Sequence, residues 1–216
     1  MPHGTERHLV IARLRDEIRR LEHRPARREG FVACGLPGVD GVLPGGGFPR
    51  GALAELAGGP ASGKTAVALA LFAALGPGEL AAYVDGRGEL YPPAAAERGV
   101  DLARLLVVRP FAGLAGGRVN GPPESVRAAL WAAEALLASG AFAAVAVDVP
   151  IPRKVQGADA VARRLQAAAE KGGAVGLWLG PGNGLRVPAA VRVELAFEGG
   201  RIVARRASRG GSGRAA

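Results

Sequence analysis

GGPASGKT, residues 58–65, decides how this chain is read. It meets the pattern G-x-x-x-x-G-K-[ST] at every fixed position, from Gly58 to Gly63, Lys64 and Thr65. The preceding ALAELAG (52–58) is a short apolar strand candidate, and the following AVALALFAAL (66–75) is apolar all round, as a helix buried between a sheet and its neighbours is. Strand, glycine loop and helix in that order are the context in which such a loop holds phosphate. Successive backbone N–H groups at a helix N-terminus can face an anion without side chains intervening. Gly58 and Gly63 permit the close approach, and Gly59, Pro60, Ala61 and Ser62 complete the cradle. Lys64 would reach the terminal phosphates as a point charge, and Thr65 would offer its hydroxyl to magnesium. A second metal contact is expected from an acid ending an apolar strand, and Asp148 in AVAVD fits. ATP and Mg2+ are the implied cofactors; a relic loop that binds nothing is the alternative.

Outward from this loop the chain alternates. ELAAYVD (79–85), RLLVVRP (104–110), AFAAVAVD (141–148) and AVGLWLG (174–180) read as strands. PPESVRAALWAAEALLASG (122–140) reads as a helix opened by prolines and closed by Gly140, with Val126, Leu130 and Leu137 on one face. ADAVARRLQAAAEKGG (158–173) is a second helix with Val161 and Leu165 inward. Repeated alternation implies an α/β fold with a mostly parallel sheet covered by helices on both faces. AVRVELAFE and RIVARRA flank Gly199 and Gly200 as a hairpin at the sheet edge, and CGLPGVDGVLPGGGFPRG (34–51) is turn-rich. Residues 5–23 carry Ile11, Leu14, Ile18 and Leu21 at i, i+3, i+7 and i+10, a narrow apolar seam on a helix that packs either on its own domain or on a partner. The expected division is a helix and basic linker over 1–30, a core over 31–206 and a flexible basic tail over 207–216.

Composition sets bounds on this. A chain of 216 residues that is 49% hydrophobic supports one sizeable core. The net charge of +9 suits an acidic partner such as nucleic acid, but only Lys64, Lys154 and Lys171 among the 28 basic residues are lysines, a bias that a GC-rich genome also produces. Cys34 is the sole cysteine, so no internal disulfide forms, and no nucleophile signature surrounds it. Charges interrupt every apolar stretch near the start, and no run approaches the ~18 residues of a spanning helix. A cytoplasmic protein without membrane contact is expected.

GLPGVDGVLPGGGFPRGALAELAGGPASGKT, AAYVDGRGELYPPAAAERGVDLARLLVVRP, ALLASGAFAAVAVD and, in the first helix, LRDEIRRLE together resemble the RecA-like fold, and within it the ImuA-type proteins catalogued beside RecA and SulA. The resemblance implies a P-loop core with an N-terminal helix and a C-terminal β-hairpin. It also implies an accessory role in SOS-induced translesion synthesis, joining an ImuB-type Y-family polymerase homologue and, indirectly, an error-prone replicative-type polymerase, with contact to RecA. In RecA-like recombinases a glutamate two residues after the strand-ending aspartate activates water. Leu90, Pro92 and Gly99-Val100-Asp101 hold the register here, and the glutamate position is Arg87.

An arginine stays protonated and takes no proton from water, so weak or absent ATPase follows. Arg87 either pairs with a phosphate or faces solvent; Glu89 replaces the base only if the loop brings it round. The amide that senses the terminal phosphate in recombinases falls at Gly180, and both DNA-loop regions, PIPRKVQG with Arg153 and Lys154 and PGNGLRVPA, are short. Weak, salt-sensitive DNA binding through these residues and Arg205, Arg206, Arg209 and Arg214 is one expectation; solubilising charge is the other. Against the interaction protein stand an active RecA- or KaiC-like ATPase and, third, a SulA-like division inhibitor.

Overall fold

A computed structural model describes residues 29–110, 123–150, 158–180 and 189–207. The seam of Ile11, Leu14, Ile18 and Leu21, the pair Arg153 and Lys154, the connection 181–188, and Arg209 and Arg214 of the tail lie outside the described residues.

Seven strands form the central sheet in the order β5-β4-β6-β7-β3-β8-β9. They are β3 (Ala52–Ala57), β4 (Leu80–Asp85), β5 (Leu105–Val108), β6 (Phe142–Asp148), β7 (Val175–Gly180), β8 (Val191–Glu198) and β9 (Arg201–Arg206). Every neighbouring pair is parallel except β8 and β9, which run antiparallel around Gly199 and Gly200 and make β9 an edge. The mostly parallel sheet and its terminal hairpin are therefore those expected from the alternation of the sequence. All six residues of β3 and of β7 are buried, which is why those segments read as apolar runs, broken in β3 by Glu55.

Helices cover both faces. On one side α2 (Lys64–Ala73) buries Val67, Ala68, Leu69, Leu71 and Phe72 against Ala54, Leu56, Leu177 and Leu179. On the other, α4 (Pro123–Ala138) and α5 (Ala158–Gly172) press Leu137, Ala133 and Leu165 onto Leu53, Val145, Val147 and Trp178, with Val126, Leu130 and Val161 packed alongside. The inward faces assigned to both helices are the faces they bury.

Several small elements go beyond the expected set. The turn-rich segment contains α1 (Pro37–Asp40), a 3-10 turn over Pro44–Gly46 and β2 (Phe48–Pro49), which pairs with β1 (Phe31–Val32) just before it; Pro92–Glu97 forms α3, and Leu102–Arg104 a second 3-10 turn. Both short helices start at proline, whose fixed φ suits the first helical turn. Asp40 accepts hydrogen bonds from the Cys34 and Gly35 amides (2.9 Å each), so the turn-rich segment is tied down rather than loose. Cys34 is buried, and burial is the main reason that its thiol is pushed up to about 12, which makes it a core residue and a poor nucleophile.

α4 and α5 meet closely at Gly172, where a β-carbon would fall on the carbonyl oxygen of Leu137. Gly172→Ala should therefore cost about 1–3 kcal/mol or more of stability through overpacking. Urea denaturation beside the parent chain checks this; an unchanged midpoint would show that the helices part freely there.

Candidate nucleotide site

The carboxyl ends of β3, β4 and β6 lie on one side of the sheet, and the chemistry gathers there, as it does in open α/β sheets generally. The loop 58–63 leaves β3 and enters α2 through Gly63 at φ 94°, a left-handed cap that a side chain would strain. Ala61 also has positive φ (56°), unusual for a residue with a β-carbon. The loop is held against the hairpin: a β-carbon on Gly58 would meet the Leu195 carbonyl at 2.6 Å, and one on Gly63 would meet Ile202 at 2.8 Å. Gly59, Pro60 and Ala61 are exposed and Ser62 is buried. The Lys64 ammonium folds back over the loop, donating to the carbonyls of Gly58 (2.6 Å) and Gly59 (2.7 Å) and to Ser62 Oγ (3.3 Å). Burial is the main cause that holds Lys64 below its ordinary pKa; nearby Arg87 adds to this effect and Asp148 opposes it.

β4 and β6 run level, with Asp85 beside Asp148. The two aspartates have different tasks. Asp85 is fully buried at its side chain and closes the following loop on itself: it accepts from the amides of Glu89 (3.0 Å) and Leu90 (3.1 Å) and from Arg109 Nε (2.8 Å). At the other side of that loop the Gly86 amide donates to the Asp148 carbonyl (2.9 Å). A chain pinned at Gly86, Glu89 and Leu90 leaves Arg87 little choice of direction. Its Nε donates to Asp148 Oδ1 at 2.7 Å, with the arginine side chain about one third exposed (35%) and the aspartate 11%.

Of the two outcomes left open by the sequence, pairing with a phosphate or facing solvent, the structure shows Arg87 partly exposed and ion-paired with the aspartate expected to hold magnesium. The other carboxylate oxygen, Oδ2, accepts from the Tyr83 hydroxyl at 3.1 Å. Tyr83 is buried, its acidity is suppressed chiefly by that burial, and its hydroxyl lies beside that of Thr65. Glu89 is exposed, and its amide is held by Asp85, so the loop does not bring it round to replace the base.

A magnesium ion asks for near-octahedral oxygen ligands at about 2.0–2.1 Å. The Tyr83 hydroxyl lies beside both Thr65 and Asp148, and Asp148 presents both oxygens to hydrogen-bond donors, one of them cationic. The residues present therefore do not fit a magnesium ion at Asp148 while Arg87 is docked. Gly180, read from the sequence as the position of the phosphate-sensing amide, lies against Glu55: a β-carbon there would stand 2.8 Å from Glu55 Oε1, so that carboxylate would have to shift. Glu55, buried in β3, accepts from Arg192 NH1 of β8 at 2.8 Å. Arg205 and Arg206 are exposed on edge strand β9 on opposite faces, with Arg205 level with Glu194.

Sequence reasoning missed Tyr83, Asp85 and Glu55. Each had a signal. Tyr83 and Asp85 share one face of β4 by the two-residue period, and Glu55 interrupts the apolar run leading into the glycine loop.

Burial raises the pKa of Asp148 above the ordinary 3.8, and Arg87 and Tyr83 pull it down without cancelling the rise. As pH climbs from 3.8 through the raised value, the unfolded chain gives up this proton first while the folded chain still holds it. Stability should fall across that window. In Asp148→Asn this part of the slope should vanish, as followed by chemical denaturation at successive pH values; an identical pH profile would contradict the assignment.

The family model of the RecA N-terminal domain matches residues 15–151. Among similar curated proteins, Protein RecA of Gluconacetobacter polyoxogenes is 35% identical over 132 residues, covering 61% of this chain and 34% of its own length. Protein RecA of Rubrobacter xylanophilus is 35% identical over 132 residues, covering 61% and 35%. Protein RecA of Streptococcus parasanguinis is 36% identical over 105 residues, covering 48% and 28%. The matched region is thus about a third of those relatives' length.

Proposed function

Because this chain belongs to the RecA family through an N-terminal domain match over residues 15–151, we propose that it is a RecA-like accessory protein of SOS-induced translesion DNA synthesis that acts by contact with other proteins and turns over ATP weakly or not at all. The observation that carries the weak-ATPase part is the Arg87–Asp148 ion pair. A water attacking the terminal phosphate needs a base within hydrogen-bond reach, and the loop that should offer a carboxylate offers a guanidinium. Loss of a general base typically forfeits about 10²- to 10⁴-fold in rate. Gly180 gives no side chain with which to sense the phosphate and order a DNA loop.

The partner assignments rest on the resemblance to ImuA-type proteins. They are an ImuB-type Y-family polymerase homologue, RecA itself, and an error-prone replicative-type polymerase reached indirectly. Recombinase subunits pack head to tail through an N-terminal helix and strand of one molecule on the core of the next, an interface that a paralogue can occupy. The seam of Ile11, Leu14, Ile18 and Leu21 is the candidate surface on one side, and the edge of β9 is the candidate on the other. Weak DNA binding through Arg153, Lys154, Arg205, Arg206, Arg209 and Arg214 accompanies this role and declines with salt.

A second reading, an active RecA- or KaiC-like DNA-dependent ATPase, is favoured by the complete phosphate loop with Lys64 in place. Steady-state phosphate release distinguishes the two. The accessory reading expects turnover of the parent chain to be near background with or without DNA, and a rise in Arg87→Glu. Brisk DNA-stimulated turnover that Lys64→Ala abolishes would establish the ATPase instead.

The interaction part has its own test. Pull-down with the ImuB-type partner and with RecA should weaken at least about tenfold, or roughly 1.4 kcal/mol, when Leu14→Glu and Ile18→Glu put charge in the seam. Both associations surviving unchanged would remove the seam from the account.

A further inference from the structure

We propose that Arg87 is a built-in replacement for the magnesium ion, so that the site takes nucleoside triphosphate free of divalent metal. The inference rests on the reading that the loop 58–65 binds nucleotide at all, and it deepens that reading by naming the form of the ligand. Magnesium in such a site has two jobs: it neutralises the β- and γ-phosphates and it bridges them to an acid at the end of the neighbouring strand. Both jobs have a candidate on the chain. The guanidinium is already bonded to that acid, through Nε to Asp148 Oδ1 at 2.7 Å. Among the described residues its two terminal nitrogens make no hydrogen bond, and the side chain keeps 35% of its exposure, so one edge of the planar fork remains to donate. A guanidinium fork suits two phosphate oxygens at once.

The surroundings favour the same exchange. Tyr83 occupies Asp148 Oδ2, so displacing Arg87 alone does not open both oxygens to a metal. The loop carrying Arg87 is fastened by three backbone amides, from Gly86 to the Asp148 carbonyl and from Glu89 and Leu90 to the Asp85 carboxylate, and Asp85 is held in turn by Arg109. A cation mounted that way does not depart with the solvent. Lys64, close enough to Arg87 and Asp148 to feel both charges, brings a second positive charge, so a metal-free triphosphate tail meets two fixed cations in place of one fixed and one exchangeable cation. The Arg87 charge that cannot serve as a base thus does the metal's electrostatic work while leaving attacking water without a partner.

Full-length protein titrated with the fluorescent nucleotide mant-ATP, once with excess MgCl2 and once with excess EDTA, tests this. The parent chain should bind with affinities that agree within about threefold in the two conditions, and Lys64→Ala should lose binding in both. Arg87→Gln, which removes the charge, and Arg87→Glu should both lose at least about tenfold in EDTA relative to the parent, with magnesium restoring part of that loss once the guanidinium no longer occupies Asp148. Circular dichroism of each variant shows whether it is folded, and the parent's own response to EDTA needs no variant. A parent chain whose affinity drops tenfold or more on chelation would overturn the inference and leave the nucleotide reading standing. Absence of mant-ATP binding in both conditions would overturn the nucleotide reading, and this inference with it.

Discussion

The contact on which the rest of the site depends is a single ion pair between neighbouring strand ends, Arg87 of the β4 loop on Asp148 of β6. A buried carboxylate without a partner carries a heavy desolvation cost, and here a cation and a phenol share that cost. The same pairing fixes what the site can do. In the proposed reading it keeps the acid from serving as a metal ligand, puts a group that cannot take a proton where recombinases carry a general base, and adds a positive charge near Lys64. One substitution in the sequence therefore touches binding, metal preference and turnover together.

The fold brings the partners of this pairing together. Asp85 and Asp148 end adjacent parallel strands in register. The inner carboxylate, Asp85, is spent on holding the connecting loop, accepting two amides and an arginine. Asp148 lies near enough to Lys64 to act on its charge, and the short pinned loop delivers Arg87 to it. The cradle itself is braced by the edge hairpin, with Leu195 and Ile202 against Gly58 and Gly63, so the last strands of the chain support the first motif. That arrangement ties the β8–β9 hairpin to the nucleotide loop mechanically.

Much of this was legible in the residues. The apolar runs of β3, β6 and β7 and the inward faces of α4 and α5 carry strong periodicity because they are buried where packing tolerates little else. The glycine loop is legible as a motif because its pattern sets residues at fixed spacing, and Asp148 as an acid closing an apolar strand, though not as the partner of Arg87. What escaped the reading depends on contacts distant in sequence. Arg87 and Asp148 are 61 residues apart, and no local pattern says that the arginine turns inward rather than toward solvent. Tyr83 and Glu55 sit in segments whose neighbours read as ordinary core, and their roles come from strands that only the sheet order brings together. The short helices α1 and α3, four and six residues long, fall below the length at which helical periodicity can be counted.

A double-mutant cycle of Arg87→Ala and Asp148→Asn, read by equilibrium unfolding, tests the central pairing most directly because it needs neither nucleotide nor partner. The account predicts that the two substitutions are non-additive by about 0.5–3 kcal/mol, the range for residues in contact, with the coupling retained in high salt because Asp148 is largely buried. Additive effects, with coupling indistinguishable from zero, would contradict it: Arg87 would then be a surface side chain, and Asp148 would be free to hold a metal.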